Sequence, residues 1–274
     1  MKLSHPLLSD IPVHATTERP GKERPVLLWH HGSPQTGAVL PPVAEAAAAA
    51  GMDVVSVTRP AYGGAPREVY RDVRSVAAGL ERVFEALELH DVISVGASGG
   101  GPHALACAAV LPSRVAGVIT LAGLAPFRPG DETWFDGMID PSGLRAGIEG
   151  LEARTTHAEV DRFDPESFVA ADYRALETTW ASLGDDVAAS AEWGGEGLID
   201  DDIAFTRPWG FDLGNVTTPV VVMHGDLDRV VPPSHGRALA DGLRDARLIT
   251  VADAGHIAIL EHLPEAITAL VDRR

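Results

Sequence analysis

A serine stands among glycines in the segment GASGGG, residues 96–101, between an apolar run and an alanine-rich run. A dinucleotide-binding loop needs glycine where Ser98 stands, and a phosphate-binding P-loop needs lysine where Pro102 follows Gly101. The segment does match the pattern Gly-x-Ser-x-Gly, in which a sharp strand-to-helix turn exposes the serine as a nucleophile. The spacing therefore predicts that Ser98 is a nucleophile.

A nucleophilic serine needs a histidine as base and an acid that orients the histidine. The segment HGDLDRVVP follows an apolar run and offers two acids; we favour Asp228 and assign Asp226 to the turn. His256 follows a glycine in the loop after the last apolar run, whereas His262 falls within a helical pattern. Ser98, Asp228 and His256 follow each other along the chain in an order known from one class of serine-dependent triads.

Acyl transfer through a serine also needs two backbone N–H groups that stabilise the negatively charged oxygen of the intermediate. Gly99, the residue after the predicted nucleophile, is expected to supply one of them. The loop HHGSPQTG, which follows an earlier apolar run, is expected to supply the other. Because Pro34 has no N–H, Ser33 is the predicted second donor.

Short apolar runs rich in valine, isoleucine and leucine alternate with helical patterns along most of the chain. Continuous apolar strands of this kind are typical of an α/β fold, a mostly parallel twisted sheet with helices on both faces. The clearest helical pattern covers residues 66–89, where apolar residues recur at spacings of three and four. Strands are predicted over residues 25–32, 52–60, 91–97, 116–124, 219–225 and 246–252.

The alternation is interrupted between the fourth and fifth predicted strands by a segment rich in helix formers, tryptophan and acids. Residues 131–205 hold 19 Asp or Glu and 4 Arg, a local net charge of −15 within a total of −17. We therefore predict a core of residues 1–126 and 206–274 with an inserted helical cap, residues 127–205. The acids are expected to form either a solvated surface or a field that favours neutral or cationic substrates.

The net charge of −17 is opposite to the basic footprint that nucleic-acid binding needs, and it disfavours docking on anionic membranes. No apolar run is long enough for a transmembrane helix, and the first residues lack a signal-peptide pattern, so we expect a soluble, cytoplasmic protein. Cys107 is the single cysteine and is expected to be a buried apolar residue. No group of residues has metal-ligand spacing, so neither a metal nor another cofactor is expected.

These motifs resemble those of the α/β-hydrolase superfamily. The likeness covers about residues 25–125 and 205–270, through HHGSPQTG, RPAYGGA, GASGGGPHALACA, HGDLDRVVP and AGH. It implies the α/β-hydrolase fold with an inserted cap. It also implies a role for five residues: Ser98 as nucleophile, Asp228 as acid, His256 as base, and Ser33 and Gly99 as oxyanion-hole donors.

Within the superfamily the chain is similar to esterase-like and prolyl-aminopeptidase-like members. It differs from the latter, which have His-Gly-Gly-Pro-Gly where this chain has HGSPQ, and Trp-Gly where it has Gly-Gly after the serine turn. Haloalkane dehalogenases and epoxide hydrolases share the fold but use an aspartate nucleophile, and Ser98 argues against both activities.

The expected reaction is hydrolysis of a small carboxylic ester or lactone through an acyl-enzyme on Ser98. The alternatives are an aminopeptidase or amidase, a cofactor-free haloperoxidase or perhydrolase, and a non-hydrolytic lyase or cyclase. The substrate, a neutral or cationic small molecule, is expected to bind between the strand ends and the cap. The predicted pocket residues are His31, Tyr62, Trp134, Met138, Trp180 and Trp209.

Overall fold

The computed structural model describes residues 1–273, and within them the chain forms one eight-stranded sheet. The strands are β1 (Lys2–Leu3), β2 (Val13–Ala15), β3 (Val26–His30), β4 (Asp53–Val57), β5 (Val92–Ala97), β6 (Val115–Leu121), β7 (Val220–Gly225) and β8 (Ala246–Val251). Their order across the sheet is β1-β2-β4-β3-β5-β6-β7-β8. The β1–β2 and β2–β4 pairs are antiparallel and all other pairs are parallel, which confirms the predicted mostly parallel sheet.

Helices connect the strands and cover the sheet. The α-helices within residues 1–273 are α1 (Pro41–Ala49), α2 (Val73–Gly79), α3 (Glu81–Ala86), α4 (Gly100–Val110), α5 (Ser142–Glu149), α6 (Leu151–Ala158), α7 (Ala170–Glu177), α8 (Ala181–Ser190), α9 (Glu196–Phe205), α10 (Pro233–Gly242) and α11 (Leu263–Val271). Short 3₁₀ helices cover Pro6–Leu8, Glu132–Phe135, Pro165–Ser167, Ala191–Trp193, Leu213–Asn215 and Ala258–His262.

Alternate residues of the central strands point to opposite faces of the sheet, and both faces are buried. In β3, Leu28 belongs to the core that contains α2, α3 and α4, whereas Leu27 and Trp29 belong to the core that contains α1 and α11. In β7, Val222 and Met223 divide in the same way. Burial on both faces is the physical reason why these strands are continuously apolar rather than alternating.

The six predicted strands correspond to β3–β8. The sequence patterns missed β1 and β2 because these strands are only two and three residues long, too short to show a period. The buried position of Cys107 in α4 is confirmed, and burial raises the pKa of its thiol to about 12.

The single helix predicted over residues 66–89 is wrong. The structure has two shorter helices there, α2 and α3, and residues 66–72 are not helical. The carboxylate of Asp72 accepts a hydrogen bond from the backbone N–H of Ser75 at 2.6 Å and so caps the start of α2. Val69, the first apolar residue of the predicted helical pattern, is exposed.

Between β6 and β7 the chain forms helices and no strand within the described residues. This helical segment contains α5–α9 and is called the cap below. That residues 127–205 form an inserted cap separate from the core stays a prediction. Of the helices in residues 1–273, none combines the length and the apolar composition that crossing a membrane requires.

Candidate active site

Ser98 occupies the sharp turn between β5 and α4. Its φ is +52°, in the left-handed region, and its N–H donates to the carbonyl of Leu121 at 2.8 Å. The glycines of the motif are required by space. A Cβ on Gly96 would overlap the carbonyl oxygen of Gly100, and a Cβ on Gly100 would overlap the carbonyl oxygen of His30. The Gly-x-Ser-x-Gly spacing thus permits the close approach of strand and helix that turns the Ser98 side chain outward.

His256 lies between Ser98 and Asp228. Its Nε2 is 2.9 Å from Ser98 Oγ, and its Nδ1 is 2.8 Å from Asp228 Oδ2. The other carboxylate oxygen, Oδ1, accepts hydrogen bonds from the backbone N–H groups of Val230 and Val231, each at 2.9 Å. The structure therefore brings together the serine, the histidine and the favoured acid, and it holds both oxygens of that acid.

The two rejected candidates lie apart from this group. Asp226 is exposed, and its Oδ1 accepts a hydrogen bond from the backbone N–H of Asp253 at 2.8 Å. His262 is paired with Glu265 at the surface, with 2.9 Å between Nδ1 and the carboxylate. Asp226 thus joins the loop after β7 to the loop after β8, whereas the sequence suggested a role within its own turn.

The charges around His256 favour its action as a base with a fixed tautomer. Burial alone lowers its pKa, but the carboxylates of Asp228 and Asp172 outweigh burial and raise the pKa above its ordinary value. Burial has the opposite effect on an acid and raises the pKa of Asp228, but the contacts of Asp228 with His256 and His224 lower this pKa below its ordinary value. An ionised Asp228 accepts the Nδ1–H of His256, which leaves Nε2 free to accept the proton of Ser98.

The two predicted oxyanion-hole residues are neighbours. A Cβ added to Gly99 would lie 2.5 Å from Ser33 Oγ. Among residues 1–273, neither the backbone N–H of Ser33 nor that of Gly99 has an acceptor. The loop that carries Ser33 is held by Arg59, whose guanidinium donates to the carbonyl oxygens of His31 and Gly32. Ser33 and Ser98 line the same cavity, and the assignment of the Ser33 and Gly99 N–H groups as oxyanion donors stays a prediction.

A cavity of about 480 Å³ opens at Ser98 and His256. This volume suits a small molecule. One wall is formed by the strand-end loops, including Ser33 and Gln35, and the other by the cap. The cap contributes Phe163, Phe168, Leu176, Trp180, Leu183 and Val187. Trp180 is thus the one predicted pocket residue, of six, that lines this cavity.

Three of the predicted aromatic and apolar pocket residues lie in the core on the other side of the sheet. Trp134 packs edge-on against Phe127, and its indole N–H donates to the carbonyl of Ala125 at 3.0 Å. Trp209 is buried in that same core, and Met138 packs against it. The prediction that Trp134, Met138 and Trp209 form the pocket is therefore wrong, because their side chains pack in this core and do not line the cavity.

His31 and Tyr62 also lie away from the cavity. His31 is fully buried, and its Nε2 accepts a hydrogen bond from the backbone N–H of Arg59 at 3.1 Å. Tyr62 is also buried, and its hydroxyl donates to Asp201 at 2.8 Å, so the prediction that it lines the pocket is wrong. His31 belongs to the HHGSPQTG loop, residues 30–37, which we call the oxyanion loop after its predicted role, and Tyr62 packs edge-on against His31. Neither residue lines the cavity.

The sequence profile of the α/β-hydrolase fold matches residues 25–263, which is most of the chain. The chain belongs to the α/β-hydrolase family. A pimeloyl-[acyl-carrier protein] methyl ester esterase of Aromatoleum aromaticum is 31% identical to it, over 91% of this chain and 97% of that protein. A 2-hydroxy-6-oxononadienedioate/2-hydroxy-6-oxononatrienedioate hydrolase of Dechloromonas aromatica is 29% identical, over 92% of this chain and 87% of that protein.

Solved structures of α/β-hydrolases share the architecture. A bromoperoxidase from Bacillus anthracis superposes with a TM-score of 0.76 at 22% identity, covering 99% of this chain and 100% of that chain. An enol-lactonase from Burkholderia xenovorans superposes with a TM-score of 0.69 at 20% identity, covering 98% of each chain. At this level of identity the similarity shows the fold. The relatives found by sequence are hydrolases, and one of them is an esterase, which supports the assignment of this chain as a hydrolase.

This α/β-hydrolase contains a buried ionic cluster that the sequence did not predict. Asp201, in the cap helix α9, is fully buried and lies 2.8 Å from Arg59 and 2.6 Å from Arg71. It also accepts hydrogen bonds from Ser33 Oγ at 2.5 Å and from the hydroxyl of Tyr62. Burial raises the pKa of its carboxyl, but the two guanidinium groups lower it well below the ordinary value. The cluster joins the cap to the oxyanion loop.

Further acids of the cap are buried and paired rather than solvated. Asp202 contacts Arg154 at 2.7 Å, and Asp200 forms two hydrogen bonds with Arg67. Asp186 accepts a hydrogen bond from the backbone N–H of Thr36 in the oxyanion loop at 3.1 Å. The expectation of a solvated acidic surface is therefore wrong for these residues. The sequence of an acidic run such as Asp200–Asp202 predicts an exposed segment, because the arginines that pair with these acids are distant along the chain.

Within residues 1–273, no three His, Cys, Asp or Glu side chains come close enough to hold a metal ion. The cavity is lined by the Ser98 hydroxyl and the His256 imidazole, which are hydrogen-bonded to each other. The expectation that the reaction needs no cofactor stays a prediction.

Proposed function

We propose that this α/β-hydrolase is a serine hydrolase that cleaves a small, uncharged carboxylic ester or lactone through an acyl-enzyme on Ser98. The observation that carries the proposal is the hydrogen-bonded series from Ser98 Oγ to His256 at 2.9 Å and from His256 to Asp228 at 2.8 Å, opening on an apolar cavity. Nucleophile, base and orienting acid are the groups that acyl transfer needs.

The reaction proceeds in two halves. In the first, His256 Nε2 takes the proton of Ser98 Oγ as this oxygen attacks the ester carbonyl, and the N–H groups of Ser33 and Gly99 bind the oxyanion. His256 then gives the proton to the leaving alcohol, and the C–O bond breaks. In the second half a water molecule attacks the acyl carbon as His256 Nε2 takes its proton. His256 then returns this proton to Ser98 Oγ as the bond between Oγ and the acyl carbon breaks, and the acid leaves.

The walls of the cavity support an uncharged substrate. Within the described residues 1–273, no Asp, Glu, Lys or Arg side chain lines it. Gln35 supplies one of the few polar groups of the wall. Its side-chain amide already donates a hydrogen bond to Asp186 and accepts one from the backbone N–H of Gly32. A substrate carboxylate or ammonium would therefore lose its hydration without gaining a partner, which costs several kcal/mol. The missing carboxylate also argues against an aminopeptidase, which must hold an ammonium.

The nucleophile can be tested with a fluorophosphonate, which forms a bond to an activated serine Oγ and releases fluoride. We expect one label per chain, on the peptide that contains Ser98, and loss of p-nitrophenyl butyrate turnover in proportion to labelling. Mass spectrometry of the digested protein locates the label. A protein that is fully labelled at another residue, or that is labelled at Ser98 and still active, would contradict the proposal.

The substrate charge can be tested with two esters of the same diacid. We expect dimethyl adipate to be hydrolysed with a kcat/KM at least about 100-fold higher than monomethyl adipate at pH 8, because an unpaired carboxylate is costly to bury. The two compounds carry the same methyl ester, and the rate for the diester is halved to allow for its two sites. Equal values, or a preference for the monoester, would exclude an uncharged substrate class.

A further inference from the structure

A cap residue reaches the loop that carries His256. Asp172, in α7, is fully buried. Its Oδ1 accepts hydrogen bonds from the backbone N–H groups of Ile257 at 2.7 Å and Ala258 at 2.8 Å, the two residues that follow the histidine. Its Oδ2 accepts a third hydrogen bond from Val169, at the start of α7, at 2.9 Å. One carboxylate therefore joins the start of a cap helix to the histidine loop.

The residue before His256 lies against the same carboxylate. A Cβ on Gly255 would overlap Asp172 Oδ2 and would lie 2.6 Å from Val169 Cγ2. Only a bare backbone can approach this closely, which gives a physical reason for glycine at this position. Asp172 thus contacts the chain on both sides of the histidine, which restricts where the imidazole can lie.

The charge of Asp172 has no cationic partner among residues 1–273, since it forms no ion pair with a lysine, arginine or histidine there. The other groups that face His256 are Ser98 at Nε2 and Asp228 at Nδ1, with His224 behind Asp228 at 3.5 Å. The imidazolium that forms during acyl transfer is therefore the cation that can balance Asp172.

We propose that Asp172 is a positioning residue of the catalytic site, which anchors the histidine loop to the cap and stabilises the imidazolium during acyl transfer. This inference rests on the proposed function, because it assigns His256 as the base. Leu176, one turn along α7 from Asp172, lines the cavity. The helix that contacts the substrate space is thus the helix that holds the base, and a substrate that displaces α7 also displaces the histidine loop.

Replacement of Asp172 by asparagine removes the charge at nearly constant volume. The carboxylate raises the pKa of His256, so its loss lowers that pKa. His256 must be neutral to accept the serine proton, and activity rises as pH increases through its pKa. We therefore expect the acid limb of the kcat/KM profile to move down by about half a pH unit or more. We also expect kcat to fall by about tenfold or more, with KM within about threefold, because the imidazole is less well placed.

The matched control is Asp202→Asn, which also neutralises a buried carboxylate of the cap but one that pairs with Arg154. We expect it to leave the acid limb unchanged, whatever its effect on thermal stability. The inference is overturned if Asp172→Asn keeps the wild-type acid limb, or if Asp202→Asn shifts it equally. If Ser98→Ala is inactive and Asp172→Asn is unaltered, this inference fails while the proposed function stands; an active Ser98→Ala removes both.

The same contact can be tested from the loop side if Asp172→Asn does not fold. Gly255→Ala keeps the charge but places a methyl group against the carboxylate. We expect kcat to fall by about tenfold or more while the acid limb stays within about 0.2 pH units of wild type. A Gly255→Ala variant with wild-type kcat would show that the contact does not position the histidine, and would refute the inference.

Discussion

Ser98→Ala is expected to lower kcat for p-nitrophenyl butyrate by about 10⁴- to 10⁶-fold, the range found when a catalytic serine is removed. Without Oγ there is no atom to form the acyl-enzyme, and the oxyanion donors alone give only a weak acceleration. The protein should remain folded, because Ser98 holds a φ of +52° that alanine can adopt at about the same cost. We expect the free energy of unfolding to change by less than about 1 kcal/mol.

Initial rates with purified protein measure the loss in kcat. Urea unfolding followed by circular dichroism measures the free energy of unfolding. Ser113→Ala, at an exposed serine, is the control for the substitution itself and should retain wild-type turnover. A Ser98→Ala protein that is folded and keeps more than about one hundredth of the wild-type kcat would show that Ser98 is not the nucleophile.

Asp228→Asn is expected to lower kcat by about 10³- to 10⁴-fold, while Asp226→Asn changes it by no more than about threefold. The carboxylate of Asp228 accepts the Nδ1–H of His256 at 2.8 Å, whereas the amide of asparagine can present its own N–H to Nδ1. His256 then carries its proton on Nε2, the atom that must accept the proton of Ser98. Asp226 is exposed, and its carboxylate accepts a hydrogen bond from the backbone N–H of Asp253 in the loop after β8, with no contact to the imidazole of His256.

The pH profile supplies a second readout of the same change. The Asp228 carboxylate raises the pKa of His256, so Asp228→Asn should move the acid limb of its residual kcat/KM to lower pH. Asp226→Asn is matched in charge and lies in the same loop, so its acid limb should coincide with that of wild type. If Asp226→Asn is the less active of the two variants, the role of the acid passes to Asp226.

The positions of Ser98, Asp228 and His256 could be predicted because each depends on a local pattern. Each residue follows an apolar run that forms a strand, β5, β7 or β8, and lies in the loop at its carboxyl end. Parallel strands place their carboxyl ends at one edge of the sheet, so residues far apart in sequence meet there. The order of motifs and the sheet type were therefore sufficient to bring them together.

The locations of the cap residues could not be predicted, because they depend on contact partners that the sequence does not identify. Its acids count equally in a net charge whether they face water, as Glu149 does, or pair with Arg59 in the interior, as Asp201 does. Asp172 has no motif around it, and two of its three hydrogen-bond partners are backbone N–H groups 85 and 86 residues away. No periodicity or spacing carries information about such a contact.

By itself the sequence determined the parallel sheet, the serine turn, and the acid and histidine that the turn faces, because strand hydrophobicity and turn geometry are local properties. Only the tertiary structure decided which side chains form the cavity: Trp180 lines it, whereas Trp134 and Trp209 lie in the opposite core. It also decided that Asp172 and Asp201 join the cap to the site. Aromatic and acidic residues can serve core, surface or cavity alike, and their location depends on how helices pack over the sheet.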